Sequence, residues 1–565
     1  MGAFYLFHYR IENDKTQVVN MFKKRGFNKP IECQCDEYSL MLFNKILTPR
    51  KQYMQNGDDF IGYIGTMVYK GLNEPESLQE LYADIKNQSI DEEHLIGHFI
   101  CIEYIDFKIR ILTDRLCFLP LYYSEDGFAV SSSLIAIACS KPGSFTISSQ
   151  AMLENILAHG VVPPDTQFNE IKRWIPSLGL SKINSIDIYS YKQTDYANSI
   201  RSFNQAVEEQ INRLDEYMDQ IKKTIYANGV RLGLSSGFDS RLLLALLLRH
   251  GIEPECYTNW EYGVSKDYII SNDISKKMGF NLAVLKAHKL SHTTSTENEI
   301  PDFDEGYLYT DGQIRSECFW DEIYNTMEYY KLVPLSSSLG FSGVGGEQYR
   351  NAEGFKTTQI SLDKWIKKHV LYNYYVINNH RLRNDFLERY IVKVQNILNI
   401  NDHIDGFGIK KYYNEIYGYA NRHFRSIFPN QVIYHLSPFS DAYNSLFAYR
   451  AIPYLGHLYR FEMEMINKIN PKLASFQSHY GFNFKKNIPI HHVLKLALKN
   501  SISPSMRLKI RSIRRNYKSN KLESNINVSN LVNKLGINVD IISRDPEKLQ
   551  LIKQMLYYYN RMGNK

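Results

Sequence analysis

Two polar turns carry the residue types best suited to phosphate chemistry. In "GVRLGLSSGFDSRLLLALLLRH", Gly229 to His250, an apolar run breaks into Ser235, Ser236, Gly237, Phe238, Asp239 and Ser240 before a leucine-rich helix. Successive backbone N–H groups with a helix N-terminus behind them make a cradle for an anion, and the short hydroxyls add donors. Gly237 lets the backbone approach closely. Asp239 would repel a bare phosphate, so its presence points to a bridging Mg²⁺, which takes carboxylate and phosphate oxygens together. The plain alternative is a helix cap supplied by Asp239 or Ser240. A Walker loop is excluded, because no GxxxxGK[ST] pattern occurs at this turn.

The second turn lies in "LVPLSSSLGFSGVGGEQYR", where an apolar stretch runs into Ser342, Gly343, Val344, Gly345, Gly346 and Glu347. It is again a glycine-dense strand end with one acid. Facing one crevice, the two turns would set Asp239 and Glu347 around a single metal–triphosphate. Taken alone, the second turn reads equally as a surface loop.

Such turns need a frame that brings strand ends together. Phe203, Val207, Ile211, Leu214, Met218, Ile221 and Ile225 recur at spacings of three and four and predict one long amphipathic helix. After it the pattern predicts a strand "VRLGLS", a helix "RLLLALLLRHG" closed by Gly251, a strand "PECYTNW", a helix around "SKDYIISNDISKKMG" and a strand "NLAVLKA". This alternation predicts a parallel sheet with helices on both faces, and ligands bind such sheets beyond the carboxyl ends of the strands. Upstream, residues 1–145 hold short apolar runs such as "HFICIEYID", "KIRILTD" and "GFAVSSS", which predict a sandwich-like β-rich domain. Residues 146–200, with "HGVVPPDTQF" and "WIPSLGLSKI", read as a connecting region. The sheet domain spans 201–490, and 491–565 is a basic, mostly helical extension.

The chain has 565 residues, 44% hydrophobic and 22% charged. That composition belongs to a globular protein of roughly two to four domains. Seven Cys are scattered, with only Cys33 and Cys35 close together. This argues against a disulfide framework or structural zinc and for free thiols in a reducing compartment. The opening "MGAFYLFHYRIENDKTQ" lacks the basic-then-apolar pattern of a signal peptide, and Leu6 stands where a myristoylation signal wants Ser or Thr. No window offers about 18 consecutive apolar residues, so a cytoplasmic location is expected.

The net charge of +7 is concentrated in one place. From His491 to Lys521 the chain carries Lys495, Lys499, Arg507, Lys509, Arg511, Arg514, Arg515, Lys518 and Lys521 with no acid among them. Within it, "SMRLKIRSIRRNYKSNK" spaces Met506, Leu508, Ile510 and Ile513 between cations, as a solvated helix does, or as a helix lying on anionic lipid does. The second reading gives peripheral contact with the inner face of a membrane through 491–521. Tyr517 is its one aromatic, so no nucleic-acid partner is expected.

At this point a resemblance enters. "LSSGFDS" resembles the pyrophosphate-binding SGGxDS loop of the asparagine synthetase family, and "SGVGGEQ" resembles its SGxG(S/G)DE loop. Asp114, Arg115, Pro120, Leu121, Tyr122 and Tyr123 match the family's DR…PLYY signature, and "LSPFSD", Leu436 to Asp441, resembles its R-x-PFLD segment. The likeness covers residues 1 to about 485 and implies a multidomain α/β chain. Its parts would be an Ntn-hydrolase-like α+β sandwich and then a doubly wound, PP-loop nucleotide domain. It implies ATP and Mg²⁺: Ser235, Ser236, Gly237, Asp239 and Ser240 on pyrophosphate, Asp239 and Glu347 on the metal, and Leu234, Asn259, Ser342 and Gly343 near adenosine. The implied activity is an AMP-forming carbon–nitrogen ligase, in which a carboxylate is activated as an acyl-adenylate and passed to ammonia or an amine.

Six departures shape that expectation. Glutamine-hydrolysing relatives carry Cys directly after Met, where this chain has Gly2. The family's glutamine-gripping Asn-Gly pair is Ile64-Gly65, so glutaminase activity is expected to be absent, as in relatives that make β-lactam rings. Val344 and Gln348 stand where the second loop carries other residues, and Ser236 replaces a Gly. The late Lys that balances charge falls at about His479, which could supply a proton or a charge, or serve packing. The expected substrate is a sugar, peptide or small-metabolite carboxylate rather than free aspartate. The alternatives are a nucleotide-binding scaffold without turnover and an internal amide cyclase.

Overall fold

The computed structural model describes residues 1–158, 160–191, 200–260, 265–286, 336–351, 358–371, 374–418 and 424–501, with Leu308, Asp311, Met506 and Leu535. Near the N-terminus two six-stranded sheets stack. One contains β1 (Ala3–His8), β2 (Ile31–Cys35), β3 (Tyr38–Phe43), β8 (Tyr122–Ser124), β9 (Ala129–Ser131) and β10 (Ile171–Arg173), in the order β10-β8-β9-β1-β3-β2. The other contains β4 (Tyr53–Asn56), β5 (Asp59–Tyr69), β6 (Leu95–Ile105), β7 (Lys108–Thr113), β11 (Ser181–Ile183) and β12 (Ile186–Ser190), in the order β11-β12-β7-β6-β5-β4.

Side chains alternate across each strand, and here both faces are apolar because both are covered. Phe4, Leu6, Leu40 and Leu42 meet Ile100, Ile102, Ile109, Ile111, Ile186 and Ile188 between the sheets. Tyr5, Phe7, Met41 and Phe43 face the other way, under α1 (Lys15–Lys24) and α3 (Leu134–Ser140). Ile61, Tyr63, Phe99 and Cys101 are covered by α2 (Glu76–Asn87). The result is four layers, helix, sheet, sheet, helix. The segment 146–200, read from its Pro and Gly as a connection, supplies β10, β11 and β12. Strands of three to five residues are too short to show a period. The same segment holds α4 (Ser149–Ala158), which packs on the distant helix His380–Leu398, where Lys393 Nζ donates to Glu154 Oε1 at 2.7 Å.

The second half is built on a five-stranded sheet of β13 (Val230–Gly233), β14 (Glu255–Trp260), β15 (Leu282–Lys286), β16 (Leu339–Phe341) and β19 (Tyr434–Leu436), in the order β15-β14-β13-β16-β19. Every pairing in it is parallel, as the strand–helix alternation predicts. A short antiparallel pair, β17 (Ile360–Ser361) and β18 (His403–Ile404), lies apart. The long α5 (Phe203–Asn228) is capped by Ser202 and buries the predicted stripe from Val207 to Ile225. Helix α6 (Asp239–Arg249) is buried over most of its surface, because it packs on β13, α5 and the helix Arg460–Ile469. Helix α7 (Lys266–Met278) lies on β14 and β15, with Ser265 as N-cap and Gly279 as C-cap.

The two halves share a polar seam. Ile46 and Leu47 N–H donate to Gln431 and Val432 carbonyls at 3.0 Å each. Thr66 Oγ1 donates to Asn430 Oδ1 at 2.9 Å and accepts from His435 N–H at 2.9 Å. Ser437 N–H donates to His98 Nε2 at 3.1 Å. At the far end, the helix Ile490–Ser501 exposes Ile490, Val493 and Leu494. Apart from that helix and Met506, the basic stretch 491–521 lies outside the described residues. Among the described residues no helix is long and apolar enough to cross a membrane.

Candidate functional site

The strand order reverses between β13 and β16. From β13 the chain runs through α6 to β14 on one side, whereas β16 is followed in the sheet by β19 on the other. Loops leaving two such neighbours diverge, opening a crevice beyond the carboxyl ends of the strands. Both polar turns identified in the sequence leave from these two strands. They converge on Asp239, the first residue of α6. A Cβ on Gly343 would lie 2.6 Å from Asp239 Cβ, and one on Gly346 would lie 1.9 Å from Asp239 Oδ1. The glycines of the second turn are thus set by close approach to the acid of the first.

The first turn is braced from within. Ser235 N–H donates to Ser240 Oγ at 3.0 Å, the two hydroxyls share a bond of 3.0 Å, and Gly237 N–H donates to Ser235 Oγ at 3.2 Å. Ser236 is buried beneath the cleft, and its N–H donates to Asp267 Oδ1 at 2.8 Å. Its hydroxyl also donates to Asp267 and shares a 3.2 Å bond with His479 Nδ1. Arg241, fully buried, ties the turn to the later segment by donating to the carbonyls of Phe476 at 2.9 Å, Gln477 at 2.8 Å and Ser236 at 3.3 Å. That tether brings His479 to the first turn from far along the chain.

A cleft of about 450 Å³ results, lined by Ser235, Gly237, Phe238, Asp239, Lys266, Arg350, His479 and Tyr480 among others. Phe238 stacks with Phe484 at 4.2 Å and Tyr459 at 5.1 Å between ring centroids, fixing the apolar floor. Arg350 donates to Asp239 Oδ1 through Nη2 and to Glu462 Oε2 through Nε at 2.6 Å, and its guanidinium lies 5.2 Å from the Phe238 ring centroid. His479 is exposed at the cleft and packs against Tyr480, 3.7 Å between ring centroids, and partial desolvation lowers its pKa from the ordinary value against the pull of Asp267.

The remaining sequence candidates, Leu234, Asn259, Ser342, Gly343 and Glu347, are not among the residues that line this cleft. Leu234 is buried and its N–H donates to Tyr257 O at 2.7 Å. Asn259 lies on β14, in register with Leu285. Ser342 Oγ accepts from Val344 N–H at 3.1 Å, and Glu347 Oε2 accepts from Gly345 N–H at 3.2 Å. Sequence reasoning missed Lys266, Asp267, Arg350, Glu462 and Tyr480. The signals available were faint: Arg350 follows Glu347 by three residues, and Lys266-Asp267 opens a helix.

The carboxylate oxygens of Asp239 and Glu347 fit a divalent cation by hardness. They are the site's two acidic oxygen donors, with Arg350 beside Asp239 and bonded on its other edge to Glu462. Burial first, and then the charge of Glu347, push the Asp239 pKa up against the pull of Arg350. Burial, and then Asp239, push Glu462 well above the carboxylate range, again opposed by Arg350. Two carboxylates alone do not fill a Mg²⁺ shell, which keeps places for phosphate oxygens and water. Among the described residues no three acids, histidines or cysteines gather into a complete metal site.

At the N-terminus, a Cβ on Gly2 would lie 2.8 Å from Gln431 O and 2.8 Å from the Phe27 ring. The Met1 amine is buried on Gln52, and burial, then Lys45, pull its pKa well below the usual value. Ile64 packs into the core between the sheets. Comparison of the chain with protein-family models and with curated proteins gives no match.

Proposed function

We propose that the protein is an ATP-dependent, AMP-forming amide synthetase resembling asparagine synthetase. Its N-terminal domain would be an Ntn-type sandwich without glutaminase activity, and its second half a PP-loop nucleotide domain. The observation that carries this reading is the convergence of the two turns on Asp239 where the sheet order reverses. A triphosphate lying there would meet the N-terminus of α6, with Ser342 and Gly343 on its other side, and would have to replace Ser240, Asp267 and Ser235 as acceptors for the N–H groups of Ser235, Ser236 and Gly237. Asp239 and Glu347 would hold Mg²⁺, which supplies charge neutralisation for the leaving phosphates.

The substrate carboxylate attacks the α-phosphorus, the bond to the bridging oxygen breaks, and pyrophosphate leaves. An amine then attacks the acyl carbon, AMP departs, and the nitrogen sheds a proton. His479 is suited to accept that proton, because it lines the cleft and its ring is already oriented through Nδ1 by Ser236. Phe238 and Tyr480 line the cleft and give the activated acyl group an apolar surface to lie on. With no room for a nucleophile at position 2, nitrogen comes from free ammonia or from a substrate amine.

One observation favours a second reading, a nucleotide-binding scaffold without turnover. Ser236, a residue expected on pyrophosphate, spends its N–H on Asp267. Incubation with Mg²⁺-ATP and a panel of sugar, peptide and small-metabolite carboxylates, with and without ammonium, separates the two. Pyrophosphate and AMP released in equal amounts with one acid support the synthetase. Nucleotide binding without release under any pairing sinks it.

A further inference from the structure

We infer that Arg350 is the phosphate-binding cation of the cleft, held in place by Glu462, and that it works against the metal for the charge of Asp239. The inference rests on the synthetase reading and specifies how its site is charged. The resemblance assigns charge balance to a late Lys, and the chain has His479 there. An adenylating site without a side-chain cation would leave the departing pyrophosphate to be neutralised by Mg²⁺ alone.

Two cations line the cleft, Lys266 and Arg350. Lys266 is exposed on the first turn of α7, where water screens it. Arg350 has only 15% of its side chain exposed, and the fully buried Glu462 grips its Nε. A guanidinium held on one edge keeps a fixed orientation, and it has five N–H donors in a fork matched to phosphate. The bonds to Glu462 and Asp239 account for two of them. Phe238 lies beneath the guanidinium, so the group is confined from that side too.

The contact with Asp239 has a second consequence. Whatever positive charge Arg350 lends to Asp239 is subtracted from what that carboxylate offers a metal. Removing Arg350 should therefore weaken phosphate binding while strengthening binding of the bare metal. A residue that merely props up the fold would weaken both.

The test is calorimetric titration of inorganic pyrophosphate with Mg²⁺, and of Mn²⁺ alone, into the full chain. The proteins compared are wild type, Arg350→Lys, Arg350→Met and the double variant Arg350→Met/Glu462→Gln. The double variant removes the unpaired acid that Arg350→Met leaves buried, so it keeps the test valid if the single variant fails to fold. The expected result is a loss of pyrophosphate affinity of about tenfold or more in both Met variants, in line with a charge-assisted bidentate contact. Arg350→Lys should lose less. Mn²⁺ should bind several-fold more tightly to Arg350→Met than to wild type. Pyrophosphate affinity in the double variant equal to wild type overturns the inference while leaving the synthetase reading in place. Wild type that binds neither pyrophosphate nor ATP overturns both.

Discussion

Gly346 lies so close to Asp239 that a Cβ on it would come within 1.9 Å of Oδ1. The two are 107 residues apart in sequence, and their contact is the point where the two turns meet. Gly346→Ala should therefore part the turns, costing about 1–3 kcal/mol of stability through overpacking and most of the nucleotide affinity. Gly237→Ala makes the contrast, since its Cβ would meet only Ser235 Oγ, at 3.3 Å. Its melting temperature should stay close to wild type while nucleotide affinity falls, because the new methyl group faces the cleft. Thermal unfolding and calorimetry on both variants check the pair.

Arg241 ties the first turn to the segment bearing His479 through three carbonyls. A lysine has one nitrogen and cannot span them. Arg241→Lys should cost about 2–4 kcal/mol in urea unfolding, because buried carbonyls lose charged donors. Nucleotide affinity should fall with it. Unchanged stability would mean that the tether does not hold the cleft together.

The seam between the halves predicts a response to acid. His98 and His435 are both buried, and burial pulls each pKa from 6.5 down to about 3, with His98 itself adding to the effect on His435. Neither Nδ1 has a hydrogen-bond partner among the described residues. An unfolded histidine takes up a proton below about 6.5, which the folded one refuses until about 3. Stability is thus full above pH 6.5 and declines as pH falls toward 3. Between pH 7 and pH 5 the loss should be about 2 kcal/mol for each imidazole. His435→Asn should flatten that slope in denaturant titrations at the two pH values.

Position 2 leaves no space for a side chain. Gly2→Cys pushes a side chain against the Gln431 backbone and the Phe27 ring, each 2.8 Å from the Cβ site. The variant should lose about 1–3 kcal/mol and release no glutamate from glutamine. A glutaminase activity gained by this single change would contradict the geometry.

Local patterns made the sheet domain legible. The apolar run before Ser235, the leucines after it and the stripe from Phe203 to Ile225 each declare their element within a dozen residues. The meeting of the two turns was legible because both are glycine-containing strand ends with one acid, although each taken alone also reads as a helix cap or a surface loop. Arg350, Lys266 and Glu462 were not legible, because a lone charge in sequence ordinarily marks a solvated face. Glu462 becomes meaningful only when the fold brings it to Arg350, 112 residues away. β10 and β11 were hidden for a different reason. Three residues each, among prolines and glycines, carry no readable period.

The most direct measurement is calorimetric titration of ATP with Mg²⁺ into wild type, Asp239→Ala and Glu347→Ala. Asp239→Ala leaves the Arg350–Glu462 pair in place, so the variant should fold. Saturable binding to wild type that depends on Mg²⁺ and is lost or weakened about tenfold or more in both variants is the predicted result. Binding that is absent from wild type, or indifferent to both substitutions, would contradict a nucleotide site built on the two turns.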